Sequence, residues 1–153
     1  MPDYPFVQFF MQFTLTILLC IAGWHDLKKR KVDDILIAFM WIAALLAGLV
    51  NSLFYFVVIG TFALFLFLNT LYFEYKKKIL YGWGDNLIYP IYMAICVMSF
   101  GLLFGVIVGL IPLLIEGWHK TICPKDKKKG RPLIFYCAVV YITELIIFSL
   151  TNI

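Results

Sequence analysis

Along this chain polar residues come in short groups and apolar ones in long unbroken runs. The run 6–24 carries no charge and suits a helix across a hydrocarbon core of roughly 30 Å, which takes about 20 residues. The next uncharged run, 35–73, would reach ~60 Å as one helix at ~1.5 Å per residue, about twice that core, so it must fold back. Its one polar break near the middle is Asn51-Ser52, which predicts helices over 35–50 and 53–73 with a very short connection. The run 86–115 admits either one long tilted helix or two short ones turning near Ser99-Phe100-Gly101. A last helix is predicted over 132–150, where Pro132 at the start loses little because its missing N–H would be unpaired there anyway.

Charge decides the ambiguous run. The 13 basic residues form three clusters: Lys28, Lys29, Arg30 and Lys31; Lys76, Lys77 and Lys78; and a third between Lys120 and Arg131. Two helices in the run 86–115 put all three clusters on one side of the membrane, as the positive-inside tendency requires, whereas one helix does not. The expectation is a single all-α, polytopic membrane domain over 1–153, with six transmembrane helices near 6–24, 35–50, 53–73, 85–99, 101–117 and 132–150 and both termini outside. Composition agrees: 63% of the residues are apolar and 14% charged, against about one half and one quarter in soluble domains. The net charge of +4 sits in juxtamembrane clusters, which argues against nucleic acid as a partner and for the lipid bilayer. Cys20, Cys96 and Cys137 lie in apolar runs and Cys123 in a basic loop, with no CxxC pair, so packing explains them better than a disulfide framework or zinc. No basic n-region or small-residue cleavage site precedes the first apolar run, so that helix is expected to stay in the protein. Gly101, Gly105 and Gly109 recur every fourth residue, a smooth stripe for close helix packing. No internal repeat separates the chain into halves.

Packing leaves two polar features unexplained. Asp26 stands at the end of the first predicted helix, before Leu27-Lys28-Lys29-Arg30-Lys31-Val32-Asp33-Asp34. Asp85 opens the fourth, after Gly82-Trp83-Gly84. The predicted topology puts both acids at the same depth on the same face.

These residues resemble the GxGD aspartic proteases, and among them the type IV prepilin and preflagellin peptidases. In that family the first catalytic aspartate ends a helix and leads into a basic, Arg-containing stretch, as Asp26 does; the second lies in GxGD, matched by Gly82-Trp83-Gly84-Asp85. A family-like GRPLIF segment, Gly130 to Phe135, opens the last helix. The presenilin-like relatives have about nine helices and a PAL motif, and the bifunctional bacterial enzymes a cysteine-rich methylation segment; this chain has none of these, so it is similar to the peptidase-only form. It departs from many bacterial members at Asn86-Leu87, where they continue hydrophobic-then-Lys. The resemblance implies cleavage, at the cytoplasmic face of the cell membrane, of the short basic leader from pilin-like or archaellin-like precursors, with no metal and no cofactor.

The chemistry fits the residue types. An aspartyl dyad needs one ionised carboxylate to activate water and one protonated carboxyl to polarise the carbonyl, and two close acids tend to share a proton. Placed at helix ends of opposite sign, Asp85 is expected as the base and Asp26 as the acid. Gly82 and Gly84 would let an extended substrate approach the backbone. The bland readings are an N-cap for Asp85 and a solvated acid for Asp26. Asp33 and Asp34 read as caps, and His25 and His119 as interfacial. Asp33, Asp34, Glu74, Glu116 and Asp126 would attract a basic leader. Glu144, within the last helix, is either functional or a protonated packing residue and stays outside the catalytic set. The rival from another class is a small proton- or ion-coupled transporter with Asp26, Asp85 and Glu144 as carriers, which calls for acids strung across the bilayer.

Overall fold

The computed structural model describes residues 5–29, 31–78, 82–122 and 132–151. Arg30, Tyr81, Cys123, Asp126, Gly130 and Arg131 fall outside the described residues, and with them most of the third basic cluster. Six helices account for nearly all of the rest: α1 Pro5–Lys29, α2 Asp34–Val50, α3 Ser52–Lys76, α4 Trp83–Phe100, α5 Leu102–Ile122 and α6 Leu133–Thr151. Four of them, α1, α3, α5 and α6, are long and apolar enough to cross a membrane, while α2 is apolar but shorter.

The turns follow from local chemistry. Asn51 alone joins α2 to α3: its backbone N–H closes the last turn of α2 on Ala47, and its side chain accepts from the N–H groups of Leu53 at 3.0 Å and Phe54 at 3.4 Å. That is an N-cap, satisfying donors a helix start leaves open. Between α4 and α5 stands Gly101 at φ +79, a backbone region in which a side chain is strained. The run 86–115 is therefore two helices, folded back as a hairpin. A Cβ on Gly105 would lie 2.5 Å from the Val97 Cα, and one on Gly109 would collide with the Met93 sulfur, so the glycine stripe is where α5 lies on the backbone of α4.

Three helices run on past the uncharged segments. α1 continues past 24 to Lys29, α3 past 73 to Lys76 and α5 past 117 to Ile122, because charged residues end a lipid-facing stretch without ending a helix. The core centres on α4, which packs against each of the other five helices and buries Ile88 through Val97 without a break. Around it the perimeter is apolar and exposed, as at Phe6, Phe9, Leu49, Phe56, Leu103 and Leu114. Apolar surface on the outside and the polar-headed helix within is the make-up of a multi-pass membrane protein.

Pro112 removes one N–H from α5, so the Val108 carbonyl has no helix donor. The Tyr92 hydroxyl donates to that carbonyl at 3.1 Å, and the Tyr89 hydroxyl donates to the Gly109 carbonyl beside it. Tyr89 also stacks on Phe65 of α3, tying three helices together at one level.

Candidate active site

Among the described residues three polar side chains are buried: Asp26 at 6% exposure, Asn86 at 3% and Glu116 at 7%. All three lie at one end of the bundle, where α1 and α5 finish and α4 begins. With Gly109 on Met93 and Gly105 on Val97, the antiparallel α4–α5 hairpin puts Glu116 level with Asn86.

Asp26 is reached through close helix packing. A Cβ on Gly23 would sit 2.9 Å from the Ala138 Cβ and 3.3 Å from the Ile134 carbonyl, so α1 and α6 approach more closely than two larger residues allow. One turn further along α1, Asp26 Oδ2 accepts the backbone N–H groups of Ile134 at 3.0 Å and Phe135 at 3.3 Å. These belong to the first turn of α6, whose start leaves N–H groups without helix partners. Asp26 is therefore buried and caps a distant helix, where a solvated acid was the bland expectation.

Asp85 is the third residue of α4 and half-buried. Its Oδ2 accepts the Gly82 N–H at 3.3 Å. Glycine has no side-chain oxygen to return the bond, so only the backward half of a capping box is made. Both acids thus face the positive end of a helix: Asp85 that of α4, Asp26 that of α6. Two N–H donors at the start of α6 thus oppose the effect that the end of α1 has on a negative Asp26.

The two acids lie at the same end of the bundle, where α4 packs against both α1 and α6. Gly82 and Gly84 stand just before Asp85. A Cβ at Gly84 would meet nothing within 4 Å, and one at Gly82 only Asp85 Oδ2 at 3.4 Å. Gly82 has an ordinary extended backbone, φ −64 and ψ 163. Neither glycine is demanded by packing among the described residues.

No protein-family model, curated protein or solved structure matches this chain.

The remaining candidates sort by position. Asp33 stands at the N-cap position of α2 but makes no capping bond. Its carboxylate lies 2.9 Å from His25 Nδ1 and 3.7 Å from Lys29 Nζ, which corrects the expectation of a cap. Asp34 is already the first residue of α2. His25 belongs with this ion pair over the α1–α2 connection, beside Asp26 in sequence and tied to the loop. His119 is not simply interfacial: its Nδ1 lies 2.6 Å from the Tyr136 hydroxyl on α6. Glu116, expected only as one of the acids that attract a basic leader, is buried, and that is the residue-level finding that sequence reasoning missed. Among the described residues no three His, Cys, Asp or Glu side chains are grouped to hold a metal ion.

At the other end of the bundle Gln12 of α1 donates to Ser99 of α4, and Ser99 Oγ lies 2.8 Å from the Tyr141 hydroxyl of α6. Glu144 is half-buried, one turn beyond Tyr141 on α6.

Proposed function

We propose that this protein is a membrane-embedded aspartic endopeptidase of the prepilin and preflagellin peptidase type. The observation that carries the reading is that Asp26, near the end of α1, and Asp85, in the first turn of α4, lie at the same end of the bundle, the end that holds the buried polar residues Asp26, Asn86 and Glu116. A buried carboxylate held by backbone amides beside a second, more open one is the setting in which two acids share a proton. In the proposed reaction the ionised member takes a proton from water as the oxygen attacks the peptide carbonyl. The protonated member gives its proton to the carbonyl oxygen. As the tetrahedral intermediate collapses, the member that took water's proton gives it to the amine nitrogen, the C–N bond breaks, and a hydroxyl of the intermediate returns a proton to the other member, so the pair returns to its starting state.

In this reading all six helices span the bilayer, α2 and α4 included, with both termini outside and the basic clusters at Lys28–Lys29 and Lys76–Lys78 on the cytoplasmic side. The dyad then opens to the cytoplasm, and the substrates are pilin-like or archaellin-like precursors with a short basic leader before a hydrophobic helix. Gly82 and Gly84, where an added Cβ would meet at most Asp85 Oδ2 among the described residues, are where an extended substrate approaches. The test is cleavage of a panel of such precursors by the purified protein in lipid vesicles, compared with Asp26→Ala and Asp85→Ala. Loss in both folded variants supports the dyad, and full cleavage by either removes it.

One observation favours a second reading, a proton-coupled transporter: Glu144 lies one turn beyond Tyr141, which with Ser99 and Gln12 forms a polar cluster at the other end of the bundle from Asp26 and Asp85. Acid movement across vesicles, abolished by Glu144→Gln, would be its signature.

A further inference from the structure

The amide oxygen of Asn86 is buried and has no hydrogen-bond partner among the described residues. Buried acceptors are nearly always paired, so an unpaired one in a helix start beside a candidate catalytic acid calls for a donor. The backbone of the same residue adds to the deficit. In a regular helix the Asn86 carbonyl accepts from residue 90, and residue 90 is Pro90, which has no N–H. Two oxygens of one residue thus face a shortage of donors, one position beyond Asp85.

The way to them is marked by what is missing. Gly82 is the extended N-cap of α4, four residues before Asn86, and its carbonyl accepts the Asn86 N–H at 3.1 Å. A Cβ there would meet only Asp85 Oδ2 among the described residues, and one at Gly84 nothing. A chain lying across Gly82 runs beside Asp85 at the open end of the helix start in which Asn86 is buried.

We infer that Asn86 is a positioning residue, accepting a backbone N–H of the bound peptide and fixing an extended segment of it beside Asp85. This rests on the peptidase reading above. A peptide backbone suits the site because it supplies donors at regular intervals whatever its side chains, and because an extended strand can lie against backbone that bears none. Asn86 touches no reacting bond, so its contribution is to orientation.

The test uses purified protein in lipid vesicles and synthetic leader-bearing precursors in which single backbone amides near the cleavage point are replaced by esters, which lack the N–H. Asn86→Leu, of similar shape, removes the acceptor and is expected to lower kcat/KM about tenfold on the all-amide substrate. One ester position should cost the wild-type protein a similar factor and cost Asn86→Leu nothing more, a coupling that a purely structural role does not produce. Should Asn86→Leu fail to fold, Asn86→Asp keeps an acceptor, and the same ester should still cost it about tenfold. Wild-type kinetics in Asn86→Leu, or ester losses that are the same in every variant, overturn the inference and leave a bound water as the donor. If the wild-type protein cleaves no precursor, the peptidase reading falls and this inference with it; if it cleaves but Asn86 is indifferent, only the inference falls.

Discussion

The end of α1 and the start of α4 each present one acid to the same end of the bundle, yet they are held in different ways. Asp26 is buried and bonded to the first amides of α6, so it belongs to the tertiary structure. Asp85 is half-buried and bonded to its own first turn, so its bond is local. The difference teaches that one residue type at a helix end can carry chemistry, a cap, or both, and that substitution separates these when the cap is tertiary. Losing a local half-box costs little; losing a buried carboxylate that closes α6 leaves two N–H groups open.

The largest effects expected are on cleavage. Asp85→Ala should lose at least about a hundredfold in rate while thermal unfolding in detergent moves less than in Asp26→Ala, since its bond to the Gly82 N–H is exposed and local. Asp26→Ala should lose as much rate and also destabilise the protein by about 1–3 kcal/mol, visible as a lower Tm. Equal stability losses in the two variants would break the contrast. Next comes Gly23→Leu, which forces α1 off α6; about 1–3 kcal/mol of stability should go, and cleavage with it as Asp26 is carried away from Ile134 and Phe135. Smaller still, Gly84→Ala should leave stability within about 0.5 kcal/mol of wild type, since its Cβ meets nothing, and yet slow cleavage severalfold if a substrate lies there. Glu144→Gln should change cleavage least of all. A large loss there would shift weight to the polar groups running toward Gln12 and Ser99.

The sequence pattern carries the helices well where the break is chemical. Asn51 is the sole polar interruption between α2 and α3 and also the cap that makes the turn. Gly101 takes a backbone angle that favours glycine, which is why the run 86–115 bends there. It fails where composition and helix part company: Leu27, Lys28 and Lys29 end an apolar run while remaining good helix formers, so Asp26 is inside α1 rather than after it. The cap on α6 was invisible because its partners are 108 residues apart and nothing local announces the meeting. Glu116 did leave a signal. Gly105, Val108, Gly109, Pro112 and Glu116 form one helical stripe, and all are buried, so extending the glycine stripe by two turns would have placed the acid against α4. Asn86 stood out only as a departure from the prepilin-peptidase pattern, and its unpaired oxygen needed side-chain placement to be seen.

The most direct measurement replaces each acid by its amide. Asn caps a helix about as well as Asp but cannot exchange a proton with water at neutral pH. Asp26→Asn and Asp85→Asn should therefore unfold close to the wild-type temperature, and neither should release the leader from a precursor that wild-type protein cleaves in lipid vesicles. Cleavage at the wild-type rate by Asp26→Asn would mean that the residue is a cap for α6 and nothing more, and the paired-carboxylate account would be wrong.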